Sequence, residues 1–283
     1  MMEVDFVKIS PTQNMTLLIT SPVPGEKRAD CAAELMRYDS VHAEQAGFVE
    51  TPANREAAAR LQMSGGEFCG NAAMALAALI ARDEKFERGV AASVLLEVSG
   101  SEELVKCIVT PRSDGGFTCK TRMPVPKAIL RKTVAAGNTL LDVQVVHMQG
   151  ITHLIVSEPL QEAEKNELTE HVMSHSKEYT DENAIGVMFL EESDMTMRPF
   201  VCVPSVRSAV WERGCGTGSC AVGCALTAKE KRSLSVDLRQ PGGIITVSSV
   251  YADGEIRELW IEGKVYIAAE GKACYGMPRE NLP

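Results

Sequence analysis

One phrase occurs twice in this chain, as Glu67-Phe68-Cys69-Gly70-Asn71-Ala72-Ala73 and as Arg213-Gly214-Cys215-Gly216-Thr217-Gly218-Ser219, and each copy reads as a Cys-Gly-polar turn opening an alanine-rich helix. The surroundings repeat as well. Phe6–Ser10 and Met15–Ile19 look like strand, turn and strand, and the pattern recurs at Val143–His147 and His153–Val156. Helical spacing follows at Lys27–Tyr38 and again at Ala163–Ser174. After each cysteine helix come strands and tight turns: Val94–Val98, Leu104–Thr110 and Phe117–Met123 in one half, Leu234–Leu238, Ile244–Val250 and Glu258–Ile261 in the other. Matching order implies a duplicated α+β lobe of about 130 residues, a period too long for a solenoid. Met123-Pro124-Val125-Pro126 is the natural linker, because two prolines stiffen the exit from a lobe. The lobes then span 1–125, carrying Cys69, and 126–267, carrying Cys215.

Composition removes several classes of function. With 283 residues, 45% of them hydrophobic, the chain can bury a sizeable core. A net charge of -9 would repel a phosphate backbone, so nucleic acid is not an expected partner. Ala72–Ala81, the longest apolar run, is about half a membrane span, and the N-terminus lacks the pattern of a secretion signal. A cytoplasmic protein with no membrane partner is expected. Nine cysteines, an odd number without an export signal, argue for reduced thiols. No metal is expected at Cys215, Cys220 and Cys224, since two of the three lie at i and i+4 in one small-residue helix and no histidine follows at ligand spacing.

A helix N-terminus lowers a thiol's pKa and offers unpaired N–H groups to an anion, and glycine lets that anion approach the main chain. Two such starts, at Gly70-Asn71 and Gly216-Thr217, suit a carboxylate. A thiol on each side of it could take the α-proton of an amino acid from one face and return another to the opposite face. That is racemisation by two bases, titrating as a coupled pair. No cofactor is called for: no GxGxxG follows a strand and no GxxxxGK[ST] loop occurs. Blander readings stand beside these. Asn14 is a turn residue or a substrate ligand, Glu44 a solvated carboxylate or a site residue, His153 a hydrogen-bonded core imidazole or a site residue, and Glu212 a partner of Arg213 or another surface cation, or of a substrate ammonium.

Cys69-Gly70-Asn71-Ala72 is similar to the Cys-Gly-Asn-Gly motif of the diaminopimelate epimerase-like family of cofactor-independent amino-acid racemases, and Cys215-Gly216-Thr217-Gly218 matches that family's second motif. The likeness runs from the first strand to the last. It implies two pseudo-symmetric lobes, each a curled, mainly antiparallel sheet around a central helix, with the active site in the interlobe cleft and a last strand at about 268–283 returning to the first lobe. Cys69 and Cys215 become the catalytic pair, and Asn14, Glu44, Gly70, Asn71, Glu212, Gly216 and Thr217 the substrate-binding set. Where epimerases carry Gly-Asn-Pro-His, this chain has Gly150-Ile151-Thr152-His153, so the site looks built for a smaller substrate. Gln13–Thr16, Glu44–Glu50, Met63–Ala72, Trp211-Glu212 and Gln240–Gly243 are most similar to the histidine racemases that feed opine-type metallophore synthesis. The resemblance therefore implies interconversion of L- and D-histidine, with a small amino acid as partner and a homodimer as an open option. Diaminopimelate or another polar amino acid is the alternative substrate, and a non-catalytic small-molecule binding protein the alternative of another class.

Overall fold

The computed structural model describes residues 2–136, 139–203 and 208–276. The chain divides into two compact units, unit 1 comprising 1–121 with 264–283 and unit 2 comprising 122–263. Residues 277–283 of the expected returning segment lie outside the described residues.

In unit 1 the order is β1 (Met2–Pro11), β2 (Thr16–Ile19), α1 (Arg28–Met36), β3 (Gln45–Glu50), β4 (Ala59–Met63), α2 (Gly70–Asp83), β5 (Ala92–Val98), β6 (Val105–Pro111) and β7 (Phe117–Met123). Unit 2 follows with β8 (Ala128–Ala136), β9 (Thr139–His147), β10 (Ile151–Val156), α3 (Glu162–Ser174), β11 (Ala184–Glu191), β12 (Thr196–Val203), β13 (Ser208–Trp211), α4 (Gly216–Glu230), β14 (Leu234–Gln240), β15 (Gly243–Ala252) and β16 (Glu255–Tyr275).

Strand pairing makes the duplication explicit. In unit 1 the parallel pairs are β2 with β3 and β4 with β5, and in unit 2 β10 with β11 and β12 with β14. A parallel pair cannot be closed by a hairpin, and between the members of these four pairs lie α1, α2, α3 and α4. The other pairings are antiparallel hairpins and their neighbours. The unit 1 strands run in the order β1 to β7 and then β16, which returns to β1 in antiparallel register from Met2↔Tyr275 to Pro11↔Val265. The result is a closed eight-strand barrel rather than a merely curled sheet, and closure leaves no edge strand exposed to stray pairing. In unit 2 the order is β8, β9, β10, β11, β12, β14, β15, β16, with β13 laid on β12.

Helices α2 and α4 carry the small residues. Eleven of the fourteen residues of α2 are buried, and it packs on β1 through β6. Its run of alanines suits both the helix, for which alanine has the best propensity, and a position crowded by strands. Helix α4 is buried from Gly216 to Thr227 except for Thr217 and packs on β8 to β11, β14 and β15. Two peripheral cores form under the outer helices. Leu35 and Cys31 of α1 meet Leu17, Ile19 and Phe48 in unit 1, while Leu168 and Val172 of α3 meet Leu154, Val187 and Phe189 in unit 2. Among the described residues no helix is long and apolar enough to cross a membrane.

Candidate active-site residues

Cys69 is the N-cap of α2: its backbone is extended, at φ −134° and ψ 110°, and its sulfur accepts a hydrogen bond from Ala72 N at 3.4 Å. The sulfur therefore does the work that a Ser or Asp oxygen usually does at this position, taking up one of the N–H groups that the first helical turn leaves without an intrahelical partner. On its other side the thiol donates to Gln45 Oε1 at 2.9 Å. Gln45 Nε2 donates in turn to Asn14 Oδ1 at 2.5 Å and to Thr16 Oγ1 at 2.8 Å. Strand register brings this about, because β2 and β3 run parallel with Thr16 opposite Gln45. Cys69 itself is half-buried.

Cys215 caps α4 in the same way, with an extended backbone and Gly218 N donating to its sulfur at 3.3 Å. Its main-chain N–H donates to Gln240 Oε1 at 2.8 Å, Gln240 Nε2 donates to Ser219 Oγ at 2.8 Å, and Ser219 Oγ donates to Cys215 O at 2.6 Å. This three-residue ring pins the first turn of α4. Cys215 is buried, 3% exposed, and its thiol donates to the Glu212 carboxylate. Burial, first, and then the neighbouring Glu212 charge push the thiol well above its ordinary range. Burial likewise pushes Glu212 up to about 7, opposed by the hydrogen bond it accepts from Cys215.

Under this turn the packing is tight. A Cβ added at Gly218 would collide with Met188 Sδ and come within 3.1 Å of Cys215 Sγ, and a Cβ at Gly186 would collide with the His153 ring. His153 lies opposite Gly186 in the β10–β11 register, is fully buried, and makes no hydrogen bond through either ring nitrogen among the described residues. Burial alone lowers its pKa to about 3, so the imidazole is neutral.

The residues picked out in the sequence fall into two groups. In unit 1, Asn14 is buried and tied to Gln45, which is tied to Cys69, and Gly70 and Asn71 are buried in the first turn of α2. Glu44 is exposed, and it is the next residue, Gln45, that reaches the sulfur. In unit 2, Glu212, Gly216 and Thr217 surround Cys215, with Thr217 Oγ1 at 3.7 Å from the sulfur. Sequence reasoning passes over Gln45, Thr16, Gln240, Ser219 and Met188. Gln45 and Gln240 stand inside the phrases Glu44-Gln45-Ala46-Gly47 and Gln240-Pro241-Gly242-Gly243, but no spacing rule links either to a cysteine.

The chain is similar to known proteins along nearly its whole length. A family model described as the histidine racemase CntK N-terminal domain matches residues 3–274. A histidine racemase of Fusobacterium nucleatum subsp. nucleatum (strain ATCC 23726 / VPI 4351) is 33% identical over 275 residues, covering 93% of this chain and 97% of that protein. A histidine racemase of Staphylococcus aureus (strain Mu50 / ATCC 700699) is 27% identical over 281 residues, covering 95% and 97%. Among solved structures, a hydroxyproline epimerase from Agrobacterium vitis with bound trans-4-OH-L-proline superposes with a TM-score of 0.73 at 12% identity, over 98% of this chain and 94% of that one. A probable proline racemase from Agrobacterium radiobacter K84 gives 0.68 at 14% identity, over 95% and 92%. At those identities the structures speak for the fold alone, a two-lobed one shared with proline racemases. With a family match along nearly its whole length and a relative at one-third identity, the chain belongs to the histidine racemase family and is an isomerase of the amino-acid racemase class.

Proposed function

We propose that this protein interconverts L- and D-histidine by a two-base proton transfer at the α-carbon, with the thiols of Cys69 and Cys215 as base and acid and with no cofactor taking part. The observation that carries the reading is the repeated capping geometry. In each of two duplicated units a cysteine sulfur sits at the N-terminus of a buried helix, held by the third N–H of that helix at 3.4 and 3.3 Å. Removing the α-proton requires one base, and delivering a proton to the other face requires one acid, so each direction uses both thiols in opposite roles. The carbanion formed between the two steps is stabilised electrostatically, by the positive ends of helix dipoles and by main-chain donors in the first turns at Gly70-Asn71 and Gly216-Thr217. These turns are the place for the substrate carboxylate. Asn14 supports Cys69 through Gln45, Glu212 stands at Cys215 and toward the substrate ammonium, and exposed Glu44 is assigned to the imidazole end of the substrate. Each lobe, in this reading, is a sheet wrapped around its cysteine helix.

Incubation with L-histidine in heavy water, in the presence of fresh reductant, tests the proposal. Loss of the α-proton signal and of optical activity is expected. Absence of exchange with histidine, alongside exchange with another amino acid in a panel, would move the substrate; absence of exchange with every amino acid would remove the enzyme.

A further inference from the structure

Gln45 has a direction built into it. Thr16 Oγ1 donates its single proton to Asn14 O at 3.2 Å, so toward Gln45 it can act only as an acceptor. The side of the Gln45 amide that faces Thr16 must be the NH₂, whose second proton is taken by Asn14 Oδ1. The amide cannot turn over without setting its carbonyl oxygen against Thr16 Oγ1, whose proton is already given to Asn14 O. Its oxygen consequently faces Cys69, at 2.9 Å. An acceptor fixed at a sulfur bonds to S–H and repels S⁻, favouring the protonated form.

We propose that Gln45 is the positioning residue of the unit 1 thiol: locked by Thr16 and Asn14 with its oxygen toward Cys69, it holds that cysteine as the proton donor in the free enzyme. The inference rests on the reading of Cys69 as one of the two proton-transferring groups. It assigns the resting enzyme a starting state: the Cys215 thiol passes its proton to the Glu212 carboxylate it is hydrogen-bonded to and, as thiolate, takes the α-proton, while Cys69 gives its proton to the opposite face of the same carbon.

The test is the pH dependence of Cys69 alkylation by iodoacetamide in the full-length protein, followed by peptide-resolved mass spectrometry so that each cysteine is read separately. Gln45→Met removes the acceptor at nearly constant volume, and Gln45→Glu keeps the shape but adds charge. The Met variant should be alkylated several-fold faster at pH 7, the larger thiolate fraction being partly offset by the lower nucleophilicity of a more acidic thiol. The Glu variant should be alkylated more slowly than wild type. Opposite signs are the diagnostic, since a packing disturbance would move both variants the same way. Thr16→Val should act like a weak Gln45→Met, because it frees the amide to turn. Unmoved midpoints, or shifts of one sign in both Gln45 variants, overturn the assignment. Whether Cys69 carries a proton to substrate is read independently, from α-proton exchange by Cys69→Ala, so the two ideas fail by different measurements.

Discussion

The two cysteines have the same backbone geometry and different neighbours. At Cys69 the sulfur faces a neutral amide whose orientation is fixed by hydrogen bonds, while at Cys215 it faces a carboxyl whose charge changes near neutral pH. Cys69 is half-buried and Cys215 buried. Beneath Cys69 lies the satisfied Asn14, Thr16 and Gln45 network; beside Gly218 and Cys215 lies Met188, and the neutral His153 imidazole of the same unit makes no hydrogen bond among the described residues. Duplication preserved what the helix start requires, the cap and the small residues. It left the groups that tune each sulfur free to diverge. A racemase needs two groups able to exchange roles, and nothing in the chemistry requires that they be tuned by the same means.

The largest effect should come from removing either sulfur. Cys69→Ala and Cys215→Ala should each reduce racemisation, followed by optical rotation, by roughly 10²- to 10⁴-fold, the usual worth of a positioned acid or base. If the sites are unequal partners in one reaction, the two losses will be similar in racemisation but different in α-proton exchange from the L and D enantiomers. Normal turnover by either variant breaks the comparison altogether.

Second comes the buried imidazole of unit 2, which has no counterpart in the hydrogen-bonded network of unit 1. Its pKa falls from 6.5 to about 3 in the folded protein. The native state therefore binds fewer protons than the unfolded chain between those values. Stability is fully present above about pH 6.5 and is lost as pH falls toward 3, by up to about 5 kcal/mol at 1.36 kcal/mol per unit. His153→Leu should flatten that acid limb in urea denaturation carried out between pH 7 and 4. An unchanged limb would show that His153 is not what titrates.

Glu212→Gln converts the acceptor at Cys215 into the kind that Cys69 already has. Glu212 titrates at about 7 in the fold against an ordinary value of 4.5, so the folded state binds the extra proton. Stability from this group is present below about pH 4.5 and is lost as pH rises through 7, by at most about 3 kcal/mol. The variant should lose less melting temperature than wild type between pH 5 and 8, and its rate profile should lose the inflection near 7. Persistence of that inflection would assign it to another group.

Much of the architecture is visible in the residues, and the failures have physical causes. The reading of a helix at Lys27–Tyr38 corresponds to α1 at Arg28–Met36, that at Ala163–Ser174 to α3, and Phe117–Met123 is β7 residue for residue. Strand β3, Gln45-Ala46-Gly47-Phe48-Val49-Glu50, hides because a glycine interrupts it. That glycine is there since a Cβ would come within 2.7 Å of Leu61 Cδ1 on the neighbouring strand. Strand β4 alternates buried and half-buried residues but spells Ala-Arg-Leu-Gln-Met, all good helix formers. Strand β12 carries Pro199. The 21-residue β16 is read in the sequence as two separate pieces, Glu258–Ile261 near its start and, through the resemblance, a returning strand from about 268, because it changes partner from β15 to β1 and a change of partner leaves no period in the sequence. At the sites the cysteines stand out because glycines and alanines surround them. Gln45 does not, since its role depends on a parallel register with Thr16 that joins residues 29 apart.

The smallest effect concerns the third residue of each cysteine helix, where the two units differ by one methyl group. Position N3 is Ala72 in α2 and Gly218 in α4, and in both cases its N–H donates to the capping sulfur. In unit 1 the methyl is accommodated, with Ala72 fully buried. In unit 2 it would strike Met188 Sδ and crowd Cys215 Sγ to 3.1 Å. Alanine is the better helix former by about 1 kcal/mol, so on propensity alone Gly218→Ala should stabilise and Ala72→Gly should destabilise. Packing reverses the sign at Gly218: overfilling a tight site costs about 1–3 kcal/mol, more than the propensity gain. Both substitutions should therefore lower stability in denaturant titration, Ala72→Gly by about 1 kcal/mol and Gly218→Ala by a similar or larger amount. Adding Met188→Ala to Gly218→Ala should uncover the propensity gain, because it removes the atom in the way. If that pair is strictly additive, Met188 is not the obstacle, and the absence of a methyl at Gly218 serves the sulfur rather than the packing beneath it.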